Sequence, residues 1–342
     1  MAKKKKKKGS AKKRIFITFL IILIVLTSGF FFIYNKLLGN INMVDITDDE
    51  DELMIEAEVD KNDNIINIAL FGIDTRNDDY DGRADSIMIA TLDKEHKMLK
   101  LTSIMRDTYV SIPGKKYDKI NHSYSYGGPE LTIKTINLNF DMNIKNYVTV
   151  NFESLEKIVD SVGGVEIEVS QSEINNMDMY QVELDKIAGN TSSRIKTAGT
   201  HTLTGRQAVA YCRIRYVGNG DYERTERQRT VLEQVVKKIL NDKSLSQALS
   251  LIETLAPNIE TSLTKAEMIS LATSIFTSGI KEMEDTRLPI DGHAKGGTWS
   301  GVYYLKPNTL VDNVSYLHKF IYEEDNYTPS EKVTEISNKI NN

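Results

Sequence analysis

A single cysteine, Cys212, excludes an intrachain disulfide, and with it the small secreted scaffolds that rely on cross-links instead of a core. Lying between Tyr211 and Arg213 with no histidine signature beside it, that thiol reads as a small buried hydrophobe rather than a nucleophile. The five histidines are scattered and form no triad pattern. No G-x-x-x-x-G-K-[ST] phosphate loop, H-E-x-x-H helix or G-x-S-x-G elbow occurs. Those absences remove nucleotide phosphate loops, zinc-protease helices and serine-hydrolase elbows. Any reaction must therefore run mainly on carboxylates, arginines and a metal.

Long apolar runs are absent as well, except for one. Residues Ile15–Tyr34 contain no charged side chain, and twenty residues at 1.5 Å rise are enough to cross a bilayer core. Residues 3–14 before that run carry nine Lys or Arg and no acid, and residues 45–60 after it carry nine Asp or Glu and no base. This asymmetry predicts a single-pass anchor with residues 1–14 cytoplasmic and the rest of the chain extracellular. A cleaved signal peptide would have a shorter apolar region ending in small residues, and FFFIYNKLLGN offers no such exit. Beside a membrane span, the lysine run is an orientation signal and a ligand for anionic headgroups. Residues 61–342 hold 33 bases against 39 acids, a balance that excludes nucleic acid as a partner.

Residues 35–64 read as a polar, acidic stalk, and residues 65–323 as one globular domain. Short β-branched runs at 65–71, 86–92, 97–104, 147–152 and 165–169 predict strands. Between and after them, 130–140, 153–161, 225–240, 244–255, 265–276 and 306–322 predict helices. The expected fold class is α/β, a layered α-β-α domain with a central mixed sheet and helices on both faces, preceded by one transmembrane helix. Residues 324–342 read as a loose polar tail.

Arginine is scarce but unevenly placed. Six of the chain's twelve lie within Arg206–Arg229, and Arg76, Arg83 and Arg106 sit beside acids in FGIDTRNDDYDGRADS and SIMRDTYV. The planar guanidinium grips phosphate oxygens in bidentate fashion where lysine acts as a point charge, so the pattern reads as a site for a highly charged phosphate group. Asp74 follows a strand and, with Asp85, flanks Gly82-Arg83. Two sparse carboxylates suit Mg²⁺, and neutralisation by Arg83 or Arg106 is the alternative. Arg106 with Asp107 is either part of the site or a structural ion pair. Read as extended chain, Arg213 and Arg215 share one face. Asp221 is placed to cap a helix on which Arg224, Arg227 and Gln228 share a side. Arginines in a first helical turn oppose its dipole, and an anion bound there would relieve the conflict. Salt bridges to Glu223 and Glu226 are the alternative, and Arg206 and Arg229 read as surface residues.

The motifs GIDTR, GRADSIM, SIMRDTYVSIPG, KINHSYSYGG, GGVEIEV, GTHTLTGRQAVAYCRIR and GDYERTERQ, in that order over residues 65–240, resemble the LytR–CpsA–Psr family of cell-wall enzymes. The resemblance implies transfer of an anionic glycopolymer, such as teichoic acid or capsule, from an undecaprenyl-pyrophosphate carrier to peptidoglycan. It implies that Asp74 and Asp85 hold Mg²⁺ (or Mn²⁺), and that Arg83, Arg106, Arg213, Arg215, Arg224 and Gln228 bind the pyrophosphate. Asp74, Arg106, Arg215 and Asp221 would be the catalytic set, with Asp221 orienting an arginine or assisting proton removal. An apolar tunnel for the polyprenyl chain is also implied, lined by helices around 131–140 and 231–240. The chain departs from the family at Met105, often proline, and at Ser123, often alanine. A pyrophosphatase that uses water as acceptor and a non-enzymatic, regulatory envelope-polymer-binding protein remain as alternative functions.

Overall fold

The computed structural model describes residues 42–56, 62–74, 82–242 and 244–341. The expected basic tail and membrane span lie outside them, and among the described residues no helix is long and apolar enough to cross a membrane.

The strands are β1 (Asn42–Met43), β2 (Ile65–Ile73), β3 (Ala84–Asp93), β4 (Met98–Ile104), β5 (Tyr109–Val110), β6 (Asp118–Lys119), β7 (Asn146–Val150), β8 (Val165–Val169), β9 (Gly199–Leu203), β10 (Ile259–Thr261), β11 (Glu282–Leu288), β12 (Ala294–Trp299) and β13 (Val302–Pro307). The helices are α1 (Ile120–Phe140), α2 (Phe152–Ser161), α3 (Gln171–Ala188), α4 (Gly205–Cys212), α5 (Asp221–Asp242), α6 (Leu245–Leu255), α7 (Lys265–Thr277), α8 (Leu310–Tyr322) and α9 (Glu331–Asn341). Ser170, Thr204, Ser244 and Thr264 each open their helix with a capping box that satisfies two free backbone donors.

A seven-stranded mixed sheet in the order β1-β10-β7-β2-β3-β4-β11 forms the centre. β2 pairs antiparallel with β3 and parallel with β7, and β4 pairs antiparallel with β3 and parallel with β11. Adjacent residues of β11 show that helices cover both faces. The Thr286 hydroxyl meets that of Tyr316 on α8, whereas the Asp285 carboxylate meets Arg229 on α5. Successive side chains of a strand point to opposite faces, so α8 and α5 lie on opposite sides of the sheet.

On the α8 side, Ala69, Phe71, Ile87 and Ile89 pack with Ile133 and Ile136 of α1, Leu317 of α8 and Ile336 of α9 in the main core. A second core joins α2, α3, α4 and α5 to the β8–β9 ribbon. Gly205 brings α4 against α2 so closely that a Cβ would meet the Glu156 carbonyl oxygen at 2.1 Å.

Three expectations about segments need correction. Residues 42–56 are not a stalk: β1 pairs with β10, and Leu53 and Ile55 are buried in the main core despite the acids around them. Residues 331–341 are not a loose tail, because Val333, Ile336 and Ile340 form an apolar stripe that completes the same core. The helices around 131–140 and 231–240 cannot together line a tunnel, since α1 and α5 are separated by the sheet.

Candidate functional site

The site forms where β3 begins and β4 ends. Gly72 pairs with Ser86 and Ile73 with Ala84, so Asp85 is the unpaired residue of a β-bulge and Asp74 follows directly on the adjacent strand. Asp85 accepts a short hydrogen bond from Nη1 of Arg106, which lies just beyond β4. Nη2 of Arg215, in the loop between α4 and α5, lies 3.4 Å from its other oxygen. Arg224, in the second turn of α5, donates to the Asp85 backbone carbonyl at 3.1 Å. Three guanidinium groups, the farthest of them 139 residues along the chain from Asp85, thus meet at one residue.

Asp221 holds two of them. It lies 2.9 Å from Arg224 and 3.5 Å from Nε of Arg106. Arg224 is 2% exposed. Burial lowers its pKa to about 10; the neighbouring Arg106 and Arg215 charges also lower it, against Asp221 and Asp85. Burial alone would raise the Asp85 carboxyl, but the charges of Arg106, Arg224 and Arg215 outweigh it and hold the group below its usual value. Burial likewise pulls on Arg106, and Asp221 and Asp85 more than offset it, so its pKa is raised.

Several buried polar atoms here have no hydrogen-bond partner among the described residues: Nε of Arg106, Nε of Arg224, Oδ2 of Asp221 and Oε1 of Gln228. Unmet buried groups of this kind are costly, and a polar ligand would satisfy them.

The other sequence-predicted residues divide. Asp74 is half-buried and Arg83 exposed. Arg213 points elsewhere: it pairs with Glu183 at 3.0 Å and stacks over Phe152 and Tyr180 at 4.8 and 4.9 Å. The shared face expected for Arg213 and Arg215 is not formed, because Arg213 still has helical dihedrals as the C-cap of α4. Arg227 binds Glu173 and Glu223, and it lies 3.4 Å from the carbonyls of Ile214 and Val217 on either side of Arg215. It therefore braces the loop that presents Arg215. Arg206 and Arg229 are not surface residues. Arg206 is buried between Glu156 and Asp185, and Arg229 pairs with Asp285. Cys212 is buried, and burial pushes its thiol up to about 12.

A neighbouring network, not foreseen from the sequence, joins residues of KINHSYSYGG to Asp107 and Asp118. Lys119 lies 2.8 Å from Asp107, the Asn121 backbone N–H donates to the Arg106 backbone carbonyl at 3.2 Å, and Asp118 binds both His122 and Tyr126. Its only signal was membership of that motif. The two departures from the family pattern are both buried: Ser123 bonds to Ile120 and Thr132, and Met105 contacts Thr225.

The LytR_cpsA_psr family model matches residues 33–319. A polyisoprenyl-teichoic acid–peptidoglycan teichoic acid transferase TagU of Bacillus cereus (strain AH820) is 35% identical over 253 residues, 73% of this chain and 77% of that protein. A structure described as TagT bound to LI-WTA is similar with a TM-score of 0.64 at 29% identity, covering 82% of this chain and 98% of that one. Another, a LytR-CPS2A-psr family protein YwtF (TagT) with bound octaprenyl pyrophosphate lipid, is similar with a TM-score of 0.60 at 27% identity, covering 82% and 99%.

Proposed function

Because the chain belongs to the LytR–CpsA–Psr family, we propose that it is a membrane-anchored transferase that moves an anionic glycopolymer, of the teichoic acid kind, from a polyprenyl-pyrophosphate carrier to peptidoglycan. The observation that carries this reading is the convergence of Arg106, Arg215 and Arg224 on Asp85, with the buried Nε donors of Arg106 and Arg224 left without hydrogen-bond acceptors among the described residues.

Phosphoryl transfer needs positioning and charge stabilisation more than covalent help from the protein. Arg106, Arg215 and Arg224 would grip the non-bridging oxygens of the diphosphate, and Arg83 could reach it from the exposed rim. An acceptor hydroxyl then attacks the phosphorus that bears the glycan, the bond to polyprenyl phosphate breaks, and the proton passes toward Asp221. Asp221 also fixes the orientation of Arg106 and Arg224. Gln228 can donate through its amide to a phosphate oxygen.

Asp74 and Asp85 offer only hard oxygen donors at adjacent strand ends, and Asp85 is held ionised, which fits Mg²⁺. These two residues would hold the ion, displacing the Arg106 and Arg215 contacts to Asp85 onto the substrate. Bound there, Mg²⁺ would neutralise charge on the diphosphate oxygens. The polyprenyl chain would lie on the α5 side of the sheet. Ile66, Ile68 and Leu70 of β2 are only half-buried on that side, as are Leu232, Val236 and Ile239 of α5.

The test is direct. Purified protein given a lipid-linked glycopolymer, peptidoglycan and Mg²⁺ should release polyprenyl phosphate and attach polymer to the glycan. Release that is equally fast without peptidoglycan would make the protein a pyrophosphatase, and no release from folded protein would refute both readings.

A further inference from the structure

Beyond the arginine cluster, between α5 and the free edge of β11, lies an open cavity of about 430 Å³. The phase of α5 separates the two sites. Asp221 and Arg224 turn toward Asp85, whereas Glu226 and Arg229 turn toward β11.

The walls of this cavity carry mixed polar chemistry. Arg229 is 8% exposed, its Nε is paired with Asp285, and its buried Nη1 has no hydrogen-bond partner among the described residues. Arg287 lies over the Tyr222 ring at 4.5 Å and pairs with Asp291, and its buried Nε is likewise unsatisfied. The hydroxyls of Thr286 and Tyr316 close the far side. Buried N–H donors left without acceptors are costly unless a ligand meets them.

A simple anion would face Glu226, Asp285 and Asp291, and a simple cation would face two guanidinium groups. A neutral ring rich in hydroxyls can accept from the arginines and donate to the carboxylates at once. Position narrows the source. Arg287 stands opposite Ser103 in the β4–β11 register, three residues before Arg106, so the cavity opens about 10 Å from the arginine cluster. The half-buried apolar side chains of β2 lie across β3 and β4 on the other flank. In-line displacement puts the attacking oxygen opposite the leaving group. With polyprenyl phosphate leaving toward β2, the attacker approaches from β11.

We propose that this cavity is a saccharide subsite that receives a sugar ring of the acceptor glycan next to its attacking hydroxyl. The inference rests on the transferase reading and adds the place where the acceptor is recognised.

Glu226→Gln and Asp291→Asn test it in the full chain, since both side chains reach solvent and neither belongs to the catalytic cluster. Each should raise the KM for a soluble peptidoglycan fragment about tenfold, leaving the KM for the lipid-linked donor and the release of polyprenyl phosphate to water unchanged. An unchanged acceptor KM in both variants overturns the proposal, as does a rise confined to the donor KM, which would assign the subsite to the donor polymer. Saturation-transfer NMR with a β-1,4-linked GlcNAc–MurNAc disaccharide reads the cavity without turnover. A signal from the native protein that both variants lose supports the subsite even if the transfer reaction itself fails, and no signal, or one that both variants retain, overturns it.

Discussion

Arg224 reaches the backbone carbonyl of Asp85 rather than its carboxylate, at 3.1 Å, and so leaves both carboxylate oxygens to Arg106 and Arg215. Its own carboxylate partner is Asp221, three residues earlier on α5. One buried guanidinium therefore ties the start of α5 to the bulge of β3. Arg224→Ala should lower turnover by on the order of 10²-fold, and should cost about 3 kcal/mol of stability by removing a buried ion pair and leaving Asp221 only its longer contact to Arg106. Arg224→Lys should recover part of the stability and little of the turnover, because an ammonium has no fork. Steady-state kinetics beside denaturant melts will separate the two effects.

Arg213 and Arg215 should behave differently despite their spacing. Arg215→Ala removes a group at Asp85 and should cut turnover about 10²-fold with small change in stability. Arg213→Ala removes a cation stacked on Phe152 and Tyr180, so the loss should appear chiefly in the melting temperature. Equal kinetic damage from both would contradict the placement of Arg213.

Arg227 makes no contact with Asp85, yet it holds the carbonyls that flank Arg215. Arg227→Lys should lower kcat several-fold with a smaller change in donor KM, because Arg215 loses its brace but not its charge.

If Asp74 and Asp85 share a metal ion, Asp74→Asn should raise the Mg²⁺ concentration for half-maximal turnover by about tenfold or more, at unchanged melting temperature. A Mg²⁺ titration of native and variant protein decides it. Identical curves would leave Asp74 outside the metal site.

The pH dependence of stability should have two arms. Asp85 has its folded pKa lowered, so its contribution is present above the unfolded value near 3.8 and is lost as pH falls through the lower folded value. His96 has its folded pKa raised above 6.5 by its hydrogen bond to Asp93 and by the Asp93 and Glu323 charges, against burial and Lys100. That contribution is complete below pH 6.5 and disappears as pH rises through the folded value. The fall on the alkaline side should flatten in His96→Gln, measured by urea melts from pH 6 to 9.

The sheet was legible because β2, β3 and β4 are largely apolar runs of strand length that contain β-branched residues, the pattern of strands covered on both faces. β11 was not, since EMEDTRL is an edge strand with little apolar content and gains its place only by pairing with β4. α3 was hidden for a different reason: its inner face includes the polar Gln181 and Asp185, which Ser192, Ser193 and Arg194 of the following loop and Arg206 of α4 satisfy. Arg206 and Arg229 could not be told from surface residues for a like reason. Their acids lie 21 and 56 residues away, so nothing in the neighbouring sequence marked these two as buried. Asp85, Arg106, Arg215 and Arg224 emerged from the uneven distribution of arginine, a property of composition that survives without knowledge of the contacts.

The sealed thiol of Cys212 has a practical corollary. A sulfhydryl that stays protonated at neutral pH and out of solvent will not react with maleimides or iodoacetamide. Any cysteine introduced on the surface therefore becomes the single labelling point of the native protein, so that dyes and spin probes can be attached beside the arginine cluster or the β11 edge without first removing Cys212.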